Sequence, residues 1–525
     1  MSRPTNIKVS KPLSIHAERL IIATNRGPVE YYLSQEKTLK SRRGAGGVVT
    51  ALIDAGRQME TTWVAMAMSE ADRMALKEAQ QQGGRLPWPI QDKKVNLHYV
   101  AIPKAAYRKH YEHISNQLLW FLQHYLYNPT EDSATTKRIQ DAWENGYHVA
   151  NKAIAEAVCM EIESEKTKPV VMLHDYHLYL APRLIREKHP TIVMEQFIHI
   201  PWPDVRYWHF LPSNIAQEIY QGLAGNDIIG FQTDRDVRNF LEGARTLLDG
   251  AVVDFEEAAI WWKGHKTLTR AYPISIAVTT ERALVNSAAG KRAAKKMRAL
   301  LGEQTIMRVD RIEPTKNILR GFQAYDHLLE THPELQGKVN FLAFLVPSRQ
   351  SLPEYKRYTA DVMKIIDEVN QKYSTPTWQP ITAFCENDRI RALAAMQYYD
   401  VLIVNPIIDG MNLVAKEGPA VNQNNGILVL SRTVGAFQQL GKACIPTSPT
   451  DIEETAQALY IALTLPAEER RSKSAMARLI VERQDLNAWM HRQIRDINEL
   501  LDRQPAFDRQ PFALKKERIP SIHAV

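Results

Sequence analysis

The segment with the most chemistry in it is Asp409-Gly410-Met411-Asn412-Leu413-Val414-Ala415-Lys416-Glu417. Gly410 permits a turn, the Met-Asn-Leu backbone opens a helix, and Glu417 falls within its first turns. A helix start offers unpaired N–H groups and the positive end of a dipole to phosphates, and its carboxylates accept from sugar hydroxyls. A capped helix bearing an exposed acid fits the same pattern. Arg311 and Lys316 stand on one loop, Arg311-Ile312-Glu313-Pro314-Thr315-Lys316-Asn317, directly after an apolar run. Two fixed cations there neutralise a diphosphate without a metal. Solvation is the commoner fate of such a pair, but the strand-end position favours a ligand. Arg42-Arg43-Gly44-Ala45-Gly46-Gly47-Val48-Val49 reads as a glycine-rich turn opening a helix. Its spacing is neither the dinucleotide fingerprint nor a P-loop, and a plain tight turn fits as well as a phosphate or sugar contact.

His174-Asp175-Tyr176-His177 and His199 raise the question of a metal. They supply no obvious set of three or four convergent ligands, so no metal is expected. No Ser-His-Asp nucleophile pattern occurs. Tyr111 and Trp120 share an aromatic-rich helical stretch whose ordinary fate is core packing, with their polar atoms needing partners.

These residues must be held by something. Leu20 to Thr24, Val170 to Leu173, Gln196 to Ile200 and Asp227 to Phe231 are short apolar runs separated by helical patterns. Thr305 to Val309, Asn340 to Val346, Ile381 to Phe384, Asp400 to Val404 and Gly426 to Leu430 repeat the style. That alternation predicts α/β architecture with two doubly wound parallel sheets. Helices are expected over Asn317 to His332, Asp451 to Leu463 and Thr280 to Leu301. The expected division is a disordered lead (1–18), a first domain (19–275), a second (276–480), a helix crossing back to the first (481–502) and a flexible tail (503–525). Ligands of open α/β sheets bind beyond the carboxyl ends of strands, and Asn25-Arg26-Gly27, His174 to His177, His199, Arg311, Lys316, Pro347-Ser348-Arg349 and Asp409-Gly410 all stand there.

Composition narrows the class. At 525 residues the chain exceeds a single core. No apolar stretch approaches the roughly 20 residues of a membrane span, and Met1 to His16 lacks a signal-peptide core. Three scattered cysteines suit free thiols in a reducing cytoplasm. The formal charge of +7 lies partly in runs such as Lys291 to Arg298. Solvated helix surface explains such runs better than nucleic acid does, and the balance suits an anionic small substrate. A homo-oligomer is expected only because soluble enzymes commonly form one.

Taken together these motifs resemble the trehalose-6-phosphate synthases and their relatives, retaining glycosyltransferases of family 20. The resemblance rests on Asn25-Arg26, Gly46-Gly47, Tyr111 through Trp120, His174-Asp175-Tyr176-His177, His199-Ile200-Pro201-Trp202-Pro203, Gly230-Phe231-Gln232-Thr233, Arg311 with Lys316, and Asp409 through Glu417. It runs from about Leu20 to about Leu500.

The resemblance implies a GT-B fold, two Rossmann-like domains facing across a cleft. It also implies glucose transfer from a nucleoside-diphosphate-glucose to glucose 6-phosphate, giving α,α-trehalose 6-phosphate. Gly46 and Gly47 would line the diphosphate loop; Arg311, Lys316 and the backbone from Gly410 and Met411 through Asn412, Leu413 and Val414 would bind the diphosphate. Glu417 would hold the ribose. His199 and Asp409 would contact the donor sugar and Asp175 the acceptor sugar. Asp175, His199, Arg311, Lys316 and Asp409 thereby form the expected catalytic group. Arg26, Tyr111, Trp120 and Arg349 would grip the acceptor phosphate, with Trp63 flanking it. The nucleotide sugar would be a co-substrate, with no cofactor, membrane or nucleic-acid partner.

The chain departs from the family at two loops. Arg311-Ile312-Glu313-Pro314-Thr315-Lys316-Asn317 replaces Arg-Leu-Asp-Tyr-Ser-Lys-Gly, and Ile407-Ile408 stands where Leu-Arg is frequent. His199-Ile200-Pro201-Trp202-Pro203 followed by Tyr207-Trp208 is also similar to the validoxylamine-phosphate synthases. The rival expectations are therefore another phosphorylated acceptor, such as glycerol 3-phosphate or a cyclitol phosphate, and a catalytically silent sugar-phosphate sensor.

Overall fold

The computed structural model describes residues 14–43, 52, 59–81, 86, 95–128, 136–350 and 352–507. The first eleven strands are β1 (Arg19–Arg26), β2 (Val29–Leu33), β3 (Leu39–Arg43), β4 (Glu60–Met66), β5 (Val95–Val100), β6 (Val170–His174), β7 (Val193–Phe197), β8 (Ile228–Phe231), β9 (Val252–Asp254), β10 (Ala259–Trp262) and β11 (His265–Ala271). Nine of them form one sheet in the order β5-β4-β1-β6-β7-β8-β11-β10-β9, while β2 and β3 make a separate hairpin. The sheet is parallel except at β9, β10 and β11, which meander antiparallel at one edge. Helices cover both faces, so β6 and β7 are buried along their whole length, and that is why they read as unbroken apolar runs.

The second sheet contains β12 (Gln304–Arg311), β13 (Val339–Val346), β14 (Ile381–Phe384), β15 (Val401–Val404), β16 (Ile427–Ser431) and β17 (Ile445–Thr447). Its order is β14-β13-β12-β15-β16-β17, parallel throughout. In each sheet the winding reverses beside its first strand, between β1 and β6 and between β12 and β15. The crevice at such a switch point is where an α/β sheet accepts a ligand. Arg26 and Asp175 flank the first crevice; Arg311, Lys316 and Asp409 flank the second.

Several expectations need correction. The stretch Thr280 to Leu301 is two helices, Val278–Asn286 and Ala288–Arg298. Ser287 is extended between them, and its side chain accepts from Gly290 N. An N-cap inside a helical composition restarts the chain in a new direction. The third strand candidate ends at Phe197, so His199 lies beyond it on a loop. Strands β4, β5 and the β9–β11 meander were not expected. β5 alternates buried with partly buried residues, as an edge strand does, and offers no continuous apolar run. The last helix runs Leu486–Phe507, past the expected limit at residue 502.

That last helix ties the first domain to the second. Tyr272 donates its hydroxyl to Asp496 Oδ2 at 2.6 Å, Asn498 Nδ2 donates to Ser14 O at 2.9 Å, and Trp489 stands edge-on to Phe197 at 5.2 Å.

Candidate active site

The second domain supplies the cationic half. After β12 the chain makes a single 3-10 turn, Pro314–Lys316, and leaves it through Asn317 in the left-handed region at φ 55°. Asparagine is among the few residues that tolerate this conformation. Here its Nδ2 also donates to the carbonyls of Asn405 (3.0 Å) and Pro449 (2.6 Å). The turn is fixed from beneath by Arg308, fully buried, whose guanidinium meets Asp310 at 2.9 Å and the carbonyls of Lys316 (3.1 Å) and Ile318 (3.3 Å). So held, Lys316 donates Nζ to Asp409 Oδ2 at 2.5 Å. Burial is the largest single effect and disfavours both charges, but the neighbouring charges together outweigh it: Asp409 with Asp310 holds Lys316 above its ordinary range, and Lys316 with His124 and Arg311 holds Asp409 below. Arg311 pairs with Glu313 at 3.0 Å, and Ser348 Oγ donates to the same carboxylate oxygen at 2.7 Å.

The loop after β15 places Asp409. Asn412, at φ 63°, donates Nδ2 to Asp409 Oδ2 at 3.1 Å. The helix Val414–Val421 then begins, with Glu417 in its first turn. Glu417 is held by Arg389 at 3.5 Å, which also pairs with Glu281 at 2.5 Å. Burial pushes the Glu417 carboxyl up.

The first domain supplies the facing wall. Asp175 follows β6 at φ 72°, and its Oδ1 accepts from His199 N at 3.3 Å. Burial pushes Asp175 up to about 7, against the backbone donors of Tyr176 and His199 and the charge of Arg349. Free Asp titrates near 3.9, so the folded state takes up a proton that the unfolded chain has already lost. Stability measured against pH is therefore expected to fall as pH rises from about 4 to about 7 through this group. Subtracting the Asp175→Asn profile isolates the slope; parallel profiles would refute it.

The His199 carbonyl accepts from Gln232 Nε2 at 3.2 Å. The two walls touch there, since a Cβ on Gly410 would lie 2.3 Å from that oxygen.

An aromatic cluster closes one end. The stretch Lys109–Leu119 is a π-helix, running into the helix Trp120–Gln123. Its wide turns leave room for a second π stretch, Trp143–His148, whose Gly146 sits where any Cβ would meet Lys109 Cβ at 2.5 Å. Trp120 stacks on His124 at 4.0 Å and carries the Arg349 guanidinium at 4.1 Å from its ring centre, with Arg311 at 5.8 Å. Arg349, itself at φ 44°, donates to Tyr355 Oη at 2.7 Å. Tyr111 stacks between Tyr107 (5.6 Å) and His177 (5.9 Å). The structure thus joins Asp175, His199, Asp409, Lys316, Arg311, Arg349 and Trp120 into one cleft. Arg308, Glu313, His124, Tyr355, Gln232 and the Arg389–Glu281 pair were missed. Gln232 stood in a quoted motif and Glu313 in a quoted loop, and a buried partner for a cation was the available signal.

Other expected residues stand apart. Arg26, at the end of β1, has an exposed side chain paired with Glu30. Gly46 and Gly47 lie outside the described residues. Trp63 is a correction: it is 1% exposed in the core of β4, its Nε1 donating to Thr24 Oγ1 at 2.8 Å. The side chain packs against the core and the end of β1. Trp63→Phe is expected to cost about 1–2 kcal/mol of stability with the acceptor KM unchanged; a raised KM and an unchanged melting point would reverse that reading.

No group of three or more His, Cys, Asp or Glu side chains suited to a metal is found among the described residues. Nor is any helix among them long and apolar enough to cross a membrane.

Two α/β domains, with cations at one switch point and an Asp–His loop at the other, have an arrangement shared with glycosyltransferases. The profile of glycosyltransferase family 20 matches residues 18–499, and the chain belongs to that family. It is 28% identical over 468 residues to an α,α-trehalose-phosphate synthase [UDP-forming] of Schizosaccharomyces pombe, covering 87% of this chain and 86% of the relative. It is 27% identical to a validamine 7-phosphate valienyltransferase of Streptomyces hygroscopicus, covering 86% and 88%. Among solved structures, a UDP-forming α,α-trehalose-phosphate synthase of Burkholderia xenovorans in complex with glucose 6-phosphate superposes with TM-score 0.75 at 25% identity, over 91% of this chain and all of that one. The chain spans about half the length of some relatives, 54% of one from Arabidopsis thaliana.

Proposed function

We propose that this chain transfers glucose, with retention, from a nucleoside-diphosphate-glucose to glucose 6-phosphate, giving α,α-trehalose 6-phosphate. The observation that carries the reading is the Lys316–Asp409 pair at 2.5 Å beside Arg311, at the second-domain switch point and facing the His199 loop. The descriptions of the relatives as UDP-forming favour UDP-glucose as donor.

In this reading the bond from the anomeric carbon to the diphosphate breaks as the acceptor hydroxyl oxygen bonds to that carbon on the same face. The hydroxyl proton passes to the departing phosphate oxygen, so no carboxylate nucleophile is needed. Arg311, Lys316 and the N–H groups of Asn412 to Val414 stabilise the charge growing on the diphosphate, where low dielectric strengthens them. Asp409 keeps Lys316 charged and aimed. Glu417 holds the ribose, His199 the donor sugar and Asp175 the acceptor sugar. Arg349, braced on Trp120 and Tyr355, receives the acceptor phosphate together with Tyr111 and with Arg26 once it exchanges Glu30 for the phosphate, and Gly46-Gly47 line the diphosphate loop. Free Cys159, Cys385 and Cys444 suit the cytoplasm.

Of the residues similar to the valienyltransferase branch, Tyr207 is partly exposed against Tyr125 and Phe210. Trp202 and Trp208 are buried in an aromatic core with Tyr220 and Phe240. The deciding experiment is nucleotide release from UDP-, GDP- and ADP-glucose with and without glucose 6-phosphate, followed by product identification. Release that requires glucose 6-phosphate and yields a phosphorylated nonreducing disaccharide supports the proposal. Release with glycerol 3-phosphate or a cyclitol phosphate instead moves the acceptor, and binding without turnover makes the chain a sensor.

A further inference from the structure

His174 is the last residue of β6, 4% exposed, and has no role in the proposal above. Its Nδ1 lies 3.4 Å from His199 Nε2, with the ring centres 5.5 Å apart. Both rings are neutral, since burial holds His174 well below the ordinary imidazole range and His199 at about 4. Two neutral imidazoles joined nitrogen to nitrogen share one proton, so one ring donates and the other accepts.

The remaining nitrogens decide which. His174 Nε2 is buried without a hydrogen-bond partner. If His199 donated, the His174 proton would have to sit on that Nε2, an N–H sealed in the core with no acceptor. If His174 donates from Nδ1, its Nε2 is only a lone pair without a donor. Orphaned buried N–H groups are rarer than under-satisfied acceptors, so the second arrangement prevails. His199 Nε2 is then the acceptor, and its proton lies on Nδ1.

We infer that His174 is a positioning residue that locks His199 in its Nδ1–H tautomer, so that the His199 nitrogen turned away from His174 is a hydrogen-bond donor. The consequence for catalysis rests on the proposed function: a donor N–H recognises a sugar hydroxyl or ring oxygen through its lone pair. The backbone of the same residue is pinned independently by Asp175 and Gln232, so His174 governs the ring alone.

The test begins with the tautomer, which needs no substrate. A long-range proton–nitrogen correlation spectrum of the full chain, with nitrogen-labelled histidine and assignments from His174→Phe and His199→Gln, reads the protonation of each ring nitrogen. The expected result is a protonated Nδ1 and a bare Nε2 on His199; the reverse overturns the inference whatever the enzyme's substrate. Binding of UDP and of UDP-glucose then reads the consequence. His174→Phe should weaken UDP-glucose about five- to tenfold, the worth of one neutral hydrogen bond, and leave UDP unchanged. His174→Asn, whose side-chain N–H stands near the lost Nδ1–H, should restore most of the loss. Equal weakening of both ligands, or of neither, overturns the positioning role. A wild-type chain that does not bind UDP-glucose would instead remove the functional reading, while the spectrum still decides the tautomer.

Discussion

Replacing Lys316 by Ala is expected to lower turnover about 10²–10³-fold, the usual loss when one preorganised charge-stabilising donor is removed from a site. Lys316 is poised at the switch point of the second sheet, fixed by Arg308 on its own carbonyl and by Asp409 on its Nζ. Flexible surface lysines lose little on truncation, because water replaces them. Here the partner is left behind: Asp409 is a largely enclosed carboxylate, its side chain 18% exposed, whose charge depends first on Lys316 among its favourable neighbours. Stability should therefore fall too, by less than the about 3–5 kcal/mol that breaking a fully buried pair from one side costs, because both side chains keep some contact with water. The double variant Lys316→Ala/Asp409→Asn separates the effects, regaining melting temperature without regaining turnover. Near-normal activity in the single variant would end the diphosphate role of Lys316.

Gly410→Ala is expected to reduce turnover about a hundredfold through misplacement alone, the loss that follows when reacting groups are displaced by about 1 Å. The added methyl would lie 2.3 Å from the His199 carbonyl oxygen, and the Gly435 backbone packs closely on the same loop, its N–H donating to Asp409 O at 3.0 Å and leaving no room for a Cβ of its own against the Gly410 carbonyl. The loop cannot retreat, so the domains must part. Nucleoside diphosphate binding, which this reading assigns to the second domain, should persist, while turnover with both substrates drops and the melting temperature changes little. Unchanged turnover would mean that the two walls do not need this contact for catalysis. A simultaneous loss of nucleotide binding would instead place the damage within the donor loop.

These expected effects differ in how far they could be read from the chain alone. Lys316 and Asp409 stood out by type and position, because strand ends of parallel sheets collect ligand residues and because apolar runs such as Val170 to Leu173 mark strands covered on both faces. Glu417 in the opening turn of a helix and Asp451 as the cap of the helix Ile452–Thr464 were equally local features. The helix break at Ser287 was a local signal too, overridden in the reading by the alanine- and lysine-rich composition around it. Strands with alternating or polar residues, such as β5, lacked a signal that composition could separate from loop.

Pairings between distant segments were of another kind. Nothing near Trp63 says that it fills the core, nothing near Arg349 says that it lies on Trp120, and the His174–His199 contact joins a strand end to a loop. The sequence by itself determined the layered α/β class, the glycine and asparagine turns and the residue types available for phosphate and sugar. Helical and strand periodicity, capping and turn conformation are set by neighbours a few residues apart. Only the tertiary structure decided which cation is paired, which aromatic ring is core and which faces the cleft, and which imidazole nitrogen keeps its proton. Those properties come from burial and from partners hundreds of residues away, and a one-dimensional pattern carries neither.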